Sequence, residues 1–559
     1  MNIKKIRPIY AHNSHLDFKS ALITQRLIEN LEEFTNPDIS KIHDPQEIYG
    51  CDNAAKVILE HLQKGSKIFI HGDFDVDGIC STSMLWDYLY NYLGANVKPF
   101  IPNRFEDGYG LSESTVKNII NQGGKLIISV DCGVKDIDLI SKYANQIDFV
   151  ITDHHAVSTI DSADKYNRDE VLQVGEYLLS SKARAIMHPK INEKKFEICG
   201  AFVAWDLIRV LHQNTGKGDP FKFLDLVAMG TVCDVMPLIG DNRIVVKKGI
   251  EVFQTTLNLG LRSLAEVAHV KLDDISVYHL GFIFGPRLNA SGRLETAMDA
   301  VRLLCTKDPK IAHQLAVKLD ILNKERQDLT KILFEDAEKQ IELQSDYPIK
   351  FIYGENWAEG IVGLVAGKLS EKYYCPVIVG SLKNETLKAS VRSIEGFNII
   401  EILRKLSHLL EKFGGHALAA GLTIKQKNID QFLTELQNQL HLNNISIPEE
   451  RDVIVDYKLD LDDITIENVN FLETLEPFGY GNKTPLFHFT ISSENQISYI
   501  GKDLYHVKFN IRDDFELVGF NLAQEIKSRC GGDMSVLINL EKNVWRGNVK
   551  IVGKIRHIL

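Results

Sequence analysis

Three short, largely apolar runs, at 67–70, 125–130 and 147–151, are too brief for helical periodicity. Such runs predict strands buried on both faces, the habit of a parallel sheet covered by helices. A fourth run, at 223–229, fits the same reading less cleanly. Around them apolar residues recur at helical spacing: 53–63 predicts an amphipathic helix leading into the first strand, and 79–93 the helix that follows it. This alternation continues to about Met236 and predicts a parallel α/β domain.

Further along, 311–343 keeps helical periodicity without Gly or Pro and carries many opposite charges four residues apart. At 1.5 Å per residue it could reach about 50 Å, enough for a stiff connector. A second α/β unit is expected from about Tyr347 to Asn443, and the polar stretch at 440–452 reads as a linker. Short alternating segments at 506–511, 517–520, 535–540 and 548–558 then predict a small all-β module. In the last of these, Lys550, Val552, Lys554 and Arg556 share one face and Val549, Ile551 and Ile555 the other, which predicts a basic wet side and a core side. The expected organisation is a polar, partly helical lead-in (1–45), a first α/β domain (46–305), a connecting helix (306–345), a second α/β domain (346–445) and the β module (446–559).

Composition narrows the class. A chain of 559 residues needs several domains, and 25 % charged with 44 % hydrophobic residues is ordinary for a globular protein. No apolar run approaches a membrane span and the start lacks the apolar core of a signal peptide, so a cytoplasmic protein without membrane association is expected. Eight cysteines without C-x-x-C spacing suggest reduced, buried thiols, Cys132 and Cys233 included. The net charge of −11 excludes a protein coated in nucleic-acid-binding surface, yet residues 501–559 reverse the sign with ten Lys or Arg against seven Asp or Glu.

Chemistry concentrates where the apolar runs end: HGDFDVDG at 71–78, VDCG at 130–133, TDHH at 152–155 and GTVCDV at 230–235. In open α/β sheets ligands collect outside the carboxyl ends of the strands, so these carboxylates and imidazoles should converge. Asp and His without thiolates suit Mn²⁺ or Mg²⁺ better than structural zinc, and two such ions about 3.5–4 Å apart suit phosphodiester hydrolysis. An EF-hand reading of the D-x-D-x-D-G run at 73–78 fails, because the twelfth position is Met84 rather than Glu.

These clusters, with FIPNRFEDGYGLS (100–112), FGPRLNASGRL (284–294), KASVRS (388–393), GGHALAAGL (414–422) and LEPFGYGN (475–482), resemble the RecJ family of the DHH phosphoesterase superfamily over nearly the whole chain. The resemblance implies DHH and DHHA1 α/β domains joined by a long helix around a metal cleft, and a C-terminal OB fold that grips single-stranded DNA. It implies two divalent cations, one on Asp75 and Asp131 with His71 near it, the other on Asp77, Asp131, His154 and Asp234. His155 would contact the scissile phosphate, with Asp73 and Asp153 orienting the ligands. Arg104, Ser390 and Arg392 would hold the terminal 5′ phosphate. Gly414, Gly415 and His416 would meet a phosphate, and Arg287, Asn289 and Arg293 would follow the DNA backbone or brace the cleft.

The implied activity is 5′-to-3′ degradation of single-stranded DNA to 5′ mononucleotides in recombination and repair. The implied partners are single-stranded DNA, a single-strand-binding protein and a recombination-repair helicase, with the enzyme a monomer. Two departures from the family pattern are Cys233 and Met236 in the fourth cluster, and MHP at 187–189 where V-N-P is usual. The chain runs little beyond the β module, so no further partner-binding domain is expected. Two other readings are a phosphodiesterase for short oligonucleotides or cyclic dinucleotides, which would lack the β module, and an inactive replication scaffold, which would have lost metal ligands.

Overall fold

The computed structural model describes residues 5–10, 16–104, 107–344, 347–442, 450–529, 532–545 and 547–559. Phe105, Glu106, Cys530 and most of the expected linker, 443–449, lie outside them. The chain divides into two bodies, Asn30–Lys324 with Leu475–Lys483, and Met1–Glu29 with Glu325–Thr474 and Thr484–Leu559.

The first body is built on five parallel strands in the order Val97–Phe100, Ile68–Gly72, Leu126–Val130, Asp148–Thr152 and Ala185–Met187. Side chains alternate between two cores. Ile68, Ile70, Ile128 and Val150 pack with Trp205, Phe202 and Val227 on one face, while Phe69, Ile127, Phe149 and Ile151 pack with Val116 and Ile119 on the other. Burial on both faces is why these strands read as continuous apolar runs. Register then fixes the site: Gly72 pairs with Val130, Val130 with Thr152, and Thr152 with Met187. The next residues, Asp73, Asp131, Asp153 and His188, therefore leave the sheet at one level.

The fourth run departs from expectation. Residues 223–229 form no strand but begin the helix Leu224–Cys233, in which Leu224 to Thr231 are all buried. A helix without a polar face loses the periodicity that identifies helices. Asp234 is thus delivered by a helix C-terminus, and only three of the four acidic clusters follow strands.

In the second body a five-stranded mixed sheet runs Lys350–Glu355, Val377–Lys383, Thr386–Arg392, Ala419–Lys425 and Lys412–Gly415. The β module is a seven-stranded sheet that includes His506–Arg512, Phe515–Gly519, Met534–Trp545 and Asn548–Ile558. The predicted connector is a single helix, Pro309–Glu342. Residues 5–10, expected in a polar lead-in, form a strand that pairs in parallel with Glu450–Val455. Phe18 packs against Tyr457 and Phe487, so this stretch belongs to the same body as the β module.

The last strand keeps its predicted alternation only in part. Ile551 and Ile555 are buried and Lys550 and Arg556 exposed, but Val552 is buried and Val549 exposed. Pairing with Phe515–Gly519 begins only at Ile551, so Val549 lies beyond that neighbour. The basic side is also partly neutralised, since Lys554 pairs with Glu541 at 2.6 Å and Arg556 Nε donates to Asn539.

Candidate metal centre

The loop after Ile68–Gly72 is organised by its own carboxylates. Asp75 caps the helix Val76–Asp87, its Oδ1 accepting from the backbone N–H groups of Asp77 and Gly78 at 3.0 and 3.2 Å. Asp77, in the first turn, is buried and accepts from the N–H groups of Gly200 at 2.6 Å and Ala201 at 2.8 Å, the start of the helix Gly200–Thr215. A helix N-terminus is a natural partner for an anion. Glycine is required at 200, because a Cβ there would lie 2.7 Å from the Cβ of Asp131.

Asp131 leaves its strand with φ of 62°, a left-handed conformation rare outside glycine, and its N–H donates to the Thr152 carbonyl. Such backbone strain collects at functional sites. His154 Nε2 stands 3.1 Å from Asp131 Oδ1, 3.7 Å from Asp234 Oδ2 and 3.8 Å from Asp77 Oδ2. Asp153 organises the neighbourhood by accepting from the N–H groups of Val134, His154 and His155 and from His155 Nδ1 at 2.8 Å.

The electrostatics set this cluster apart. Burial and then mutual repulsion push Asp73 and Asp131 well above the carboxylate range, Asp77 up to about 6 and Asp234 up to about 7. Burial lowers His154. Burial would also lower His155, but the Asp153 carboxylate outweighs it and raises this imidazole. Asp153 goes the other way, held below the ordinary range because its hydrogen bonds to His155 and the backbone outweigh burial. Among the described residues, three buried carboxylate oxygens, on Asp73, Asp131 and Asp234, have no hydrogen-bond partner, nor has His154 Nδ1. Buried acidic oxygens without such partners are a donor set waiting for cations.

Among the described residues, three groups of side chains bring their ligand atoms within 4.8 Å of one another: Asp73, Asp75 and Asp131; Asp77, His154 and Asp234; Asp131, His154 and His155. Asp131 is common to two of them, as a bridging ligand would be. Asp73, assigned from sequence an orienting role, lies among the groups able to bind directly. His71 belongs to none of the three; it is buried, lowered by burial to about 4, stacked on Phe100 and 3.6 Å from Cys132 Sγ.

Other predicted residues are placed as follows. Arg104 lies over the Phe74 ring, within the field of Asp73 and Asp75. Arg287 pairs with Asp320 of the long helix at 2.9 Å. Asn289 Oδ1 accepts from the Val76 N–H at 3.1 Å and fixes the acidic loop. Arg293 sits half-buried in the same helix, Gly285–Leu294. In the second body Arg392 Nη1 donates to Ser390 Oγ at 3.0 Å. Gly414, Gly415 and His416 form the exposed tip of an antiparallel hairpin, closed by the His416 N–H donating to Ala419 O.

Two residues escaped sequence reasoning. The Tyr109 hydroxyl donates to Asp131 O at 3.1 Å and lies 2.9 Å from His155 Nδ1. His188, in the altered MHP segment, is 2.9 Å from His155 O through Nε2 and so braces that histidine. The position of His188 one residue past a strand end was a signal; Tyr109 offered none beyond lying in a family motif.

Family models match in three places: the DHH family N-terminal domain at 67–231, the DHHA1 domain at 345–442 and the RecJ OB domain at 455–557. The single-stranded-DNA-specific exonuclease RecJ of Bacillus subtilis is 33 % identical over 95 % of this chain, which spans 66 % of that relative's length. The Haemophilus influenzae protein of the same name is 30 % identical over 94 % of this chain and 93 % of its own. The crystal structure of RecJ in complex with Mn²⁺ from Thermus thermophilus superposes with a TM-score of 0.83 at 25 % identity, covering 99 % of this chain and 80 % of that one. With its DHH, DHHA1 and OB domains present in order and this similarity along its length, the chain belongs to the RecJ family.

Proposed function

We propose that this protein is a two-metal exonuclease that degrades single-stranded DNA from the 5′ end to 5′ mononucleotides in recombination and repair. The observation that carries the reading is the set of buried carboxylate oxygens, without hydrogen-bond partners among the described residues, gathered around Asp131 and His154. Asp73, Asp75 and Asp131 would hold one cation and Asp77, Asp131, His154 and Asp234 the other. Bound there, Mn²⁺ or Mg²⁺ would supply positive charge for the phosphate and make a water nucleophilic near neutral pH.

The remaining roles fall to the protein's own groups. His155, raised by Asp153 and held by contacts with Tyr109 and His188, would donate to a phosphate oxygen. Arg104 is proposed as one contact of a terminal phosphate, and Ser390 with Arg392 as another; guanidinium groups suit such oxyanions. The GGH hairpin tip offers exposed backbone and an imidazole to a phosphate. The β module would hold the strand by charge and stacking.

No helix among the described residues is long and apolar enough to cross a membrane. Action in the cytoplasm as a monomer, with single-stranded DNA delivered by a single-strand-binding protein and a recombination-repair helicase, is the matching proposal for its setting and rests on family membership.

A time course on single strands labelled at either end, with Mn²⁺ or Mg²⁺, tests the reading. The 5′ label should appear as mononucleotide from the first time point. Release of the 3′ label first, or equal attack on duplex, would overturn it.

A further inference from the structure

Asp234 is held by an unusual piece of backbone. The helix Leu224–Cys233 closes with Val235 N–H donating to Val232 O at 3.2 Å and Met236 N–H to Thr231 O at 3.0 Å. This double closure puts one residue in the left-handed region, a place normally taken by glycine. Here it is Val235, at φ of 57°. A β-branched residue in that conformation is strained and persists only where its surroundings impose it.

The imposing contacts come from far along the sequence. Leu238 N–H donates to Tyr480 O at 2.6 Å, and Gly481, at φ of 79°, lies so close that an added Cβ would stand 3.0 Å from Pro237 Cβ. The contacting segment is itself tightly shaped. Buried Asn482 donates through Nδ2 to Leu475 O and Pro477 O at 3.0 and 2.9 Å. Arg243 donates to Glu476 O at 2.8 Å and to Phe34 O at 2.9 Å. Leu475–Lys483 belongs to the body that carries the acidic centre, although the chain on both sides of it belongs to the other. LEPFGYGN, a family motif with no catalytic side chain, thereby acquires a purpose.

We propose that Leu475–Lys483 is a positioning clip for Asp234: it fixes 236–238 and so maintains the strained reversal that aims this carboxylate at His154. The proposal rests on the reading of Asp234 as a metal ligand. It implies that the metal centre is completed by a segment lent from the C-terminal part of the chain, and that removing that part damages metal binding as well as the grip on DNA.

The test is calorimetric titration of the full chain with Mn²⁺ alone, for wild type, Asn482→Ala and Gly481→Ala, each also combined with Val235→Gly. Either single change should weaken Mn²⁺ binding about tenfold or more, the usual effect of losing a group that orients a ligand. It should also lower kcat on a short oligonucleotide more than it alters KM. Adding Val235→Gly should restore most of the loss, since glycine takes the left-handed conformation without help. Two variants keep the test open should one fail to fold. Wild-type Mn²⁺ affinity in the single variants, or a loss that Val235→Gly does not relieve, would overturn the clip. A wild-type chain that takes up no Mn²⁺ would instead overturn the metal reading beneath it.

Discussion

The buried acid and histidine clusters around His43 and around His154, both in the first body, are opposites. Around His43 every charge is matched: Nδ1 meets Asp241 at 2.7 Å, Nε2 meets Asp206 at 2.8 Å, and Arg209 pairs with Asp206 at 2.8 Å while donating to His43 O. Around Asp131 and His154 acidic groups outnumber their partners, and three carboxylate oxygens have no hydrogen-bond partner among the described residues. Burial acts on both. In the first it would lower His43, but the two carboxylates outweigh it and bring the imidazole up to about 9; in the second it drives carboxylates upward. A matched buried cluster is a structural joint, here tying the start of the helix Gly240–Gln254 to the helix Gly200–Thr215. An unmatched one is a binding site that the fold tolerates at a cost.

The strongest way to break this contrast is to empty the unmatched cluster. Asp131→Ala should abolish hydrolysis while the protein stays folded. Activity within tenfold of wild type, about 1.4 kcal/mol in barrier, would remove Asp131 from the metal centre. His43→Ala should do the reverse: by leaving Asp206 buried without its imidazolium it should cost about 3–5 kcal/mol in denaturant unfolding, with Mn²⁺ affinity of the folded protein unchanged.

The same joint predicts a pH dependence. His43 binds its proton more tightly when folded, so its contribution is complete below pH 6.5 and is lost as pH rises to about 9. The loss should be on the order of 3 kcal/mol across that window, and a His43→Gln protein should not show it. A smaller effect concerns substrate ends. Arg104→Ala and Arg392→Ala should each lower activity about tenfold more on strands with a 5′ phosphate than on those with a 5′ hydroxyl, and equal losses would remove them from that role.

What the sequence revealed and what it hid divide along physical lines. The three parallel strands were legible because strands buried on both faces keep no polar positions, and the acidic clusters because they stand where those strands end. The helix Leu224–Cys233 was misread as a strand for the same reason, since full burial erases helical periodicity too. The strand Lys5–Tyr10 pairs with residues some 445 positions away, which no local pattern announces. The bond from the Val76 N–H to Asn289 Oδ1 is set by tertiary packing, and no local pattern announces it. Likewise nothing local in LEPFGYGN points to Leu238.

The contrast between the clusters is tested most directly by melting temperature with and without Mn²⁺, for wild type and Asp131→Asn. Removing a buried, repelled carboxylate should raise the melting temperature of the metal-free protein, while Mn²⁺ should stabilise wild type far more, so that the order of the two reverses. A metal-free Asp131→Asn protein that melts below wild type, with the same response to Mn²⁺, would contradict the claim that these carboxylates are held unmatched for cations.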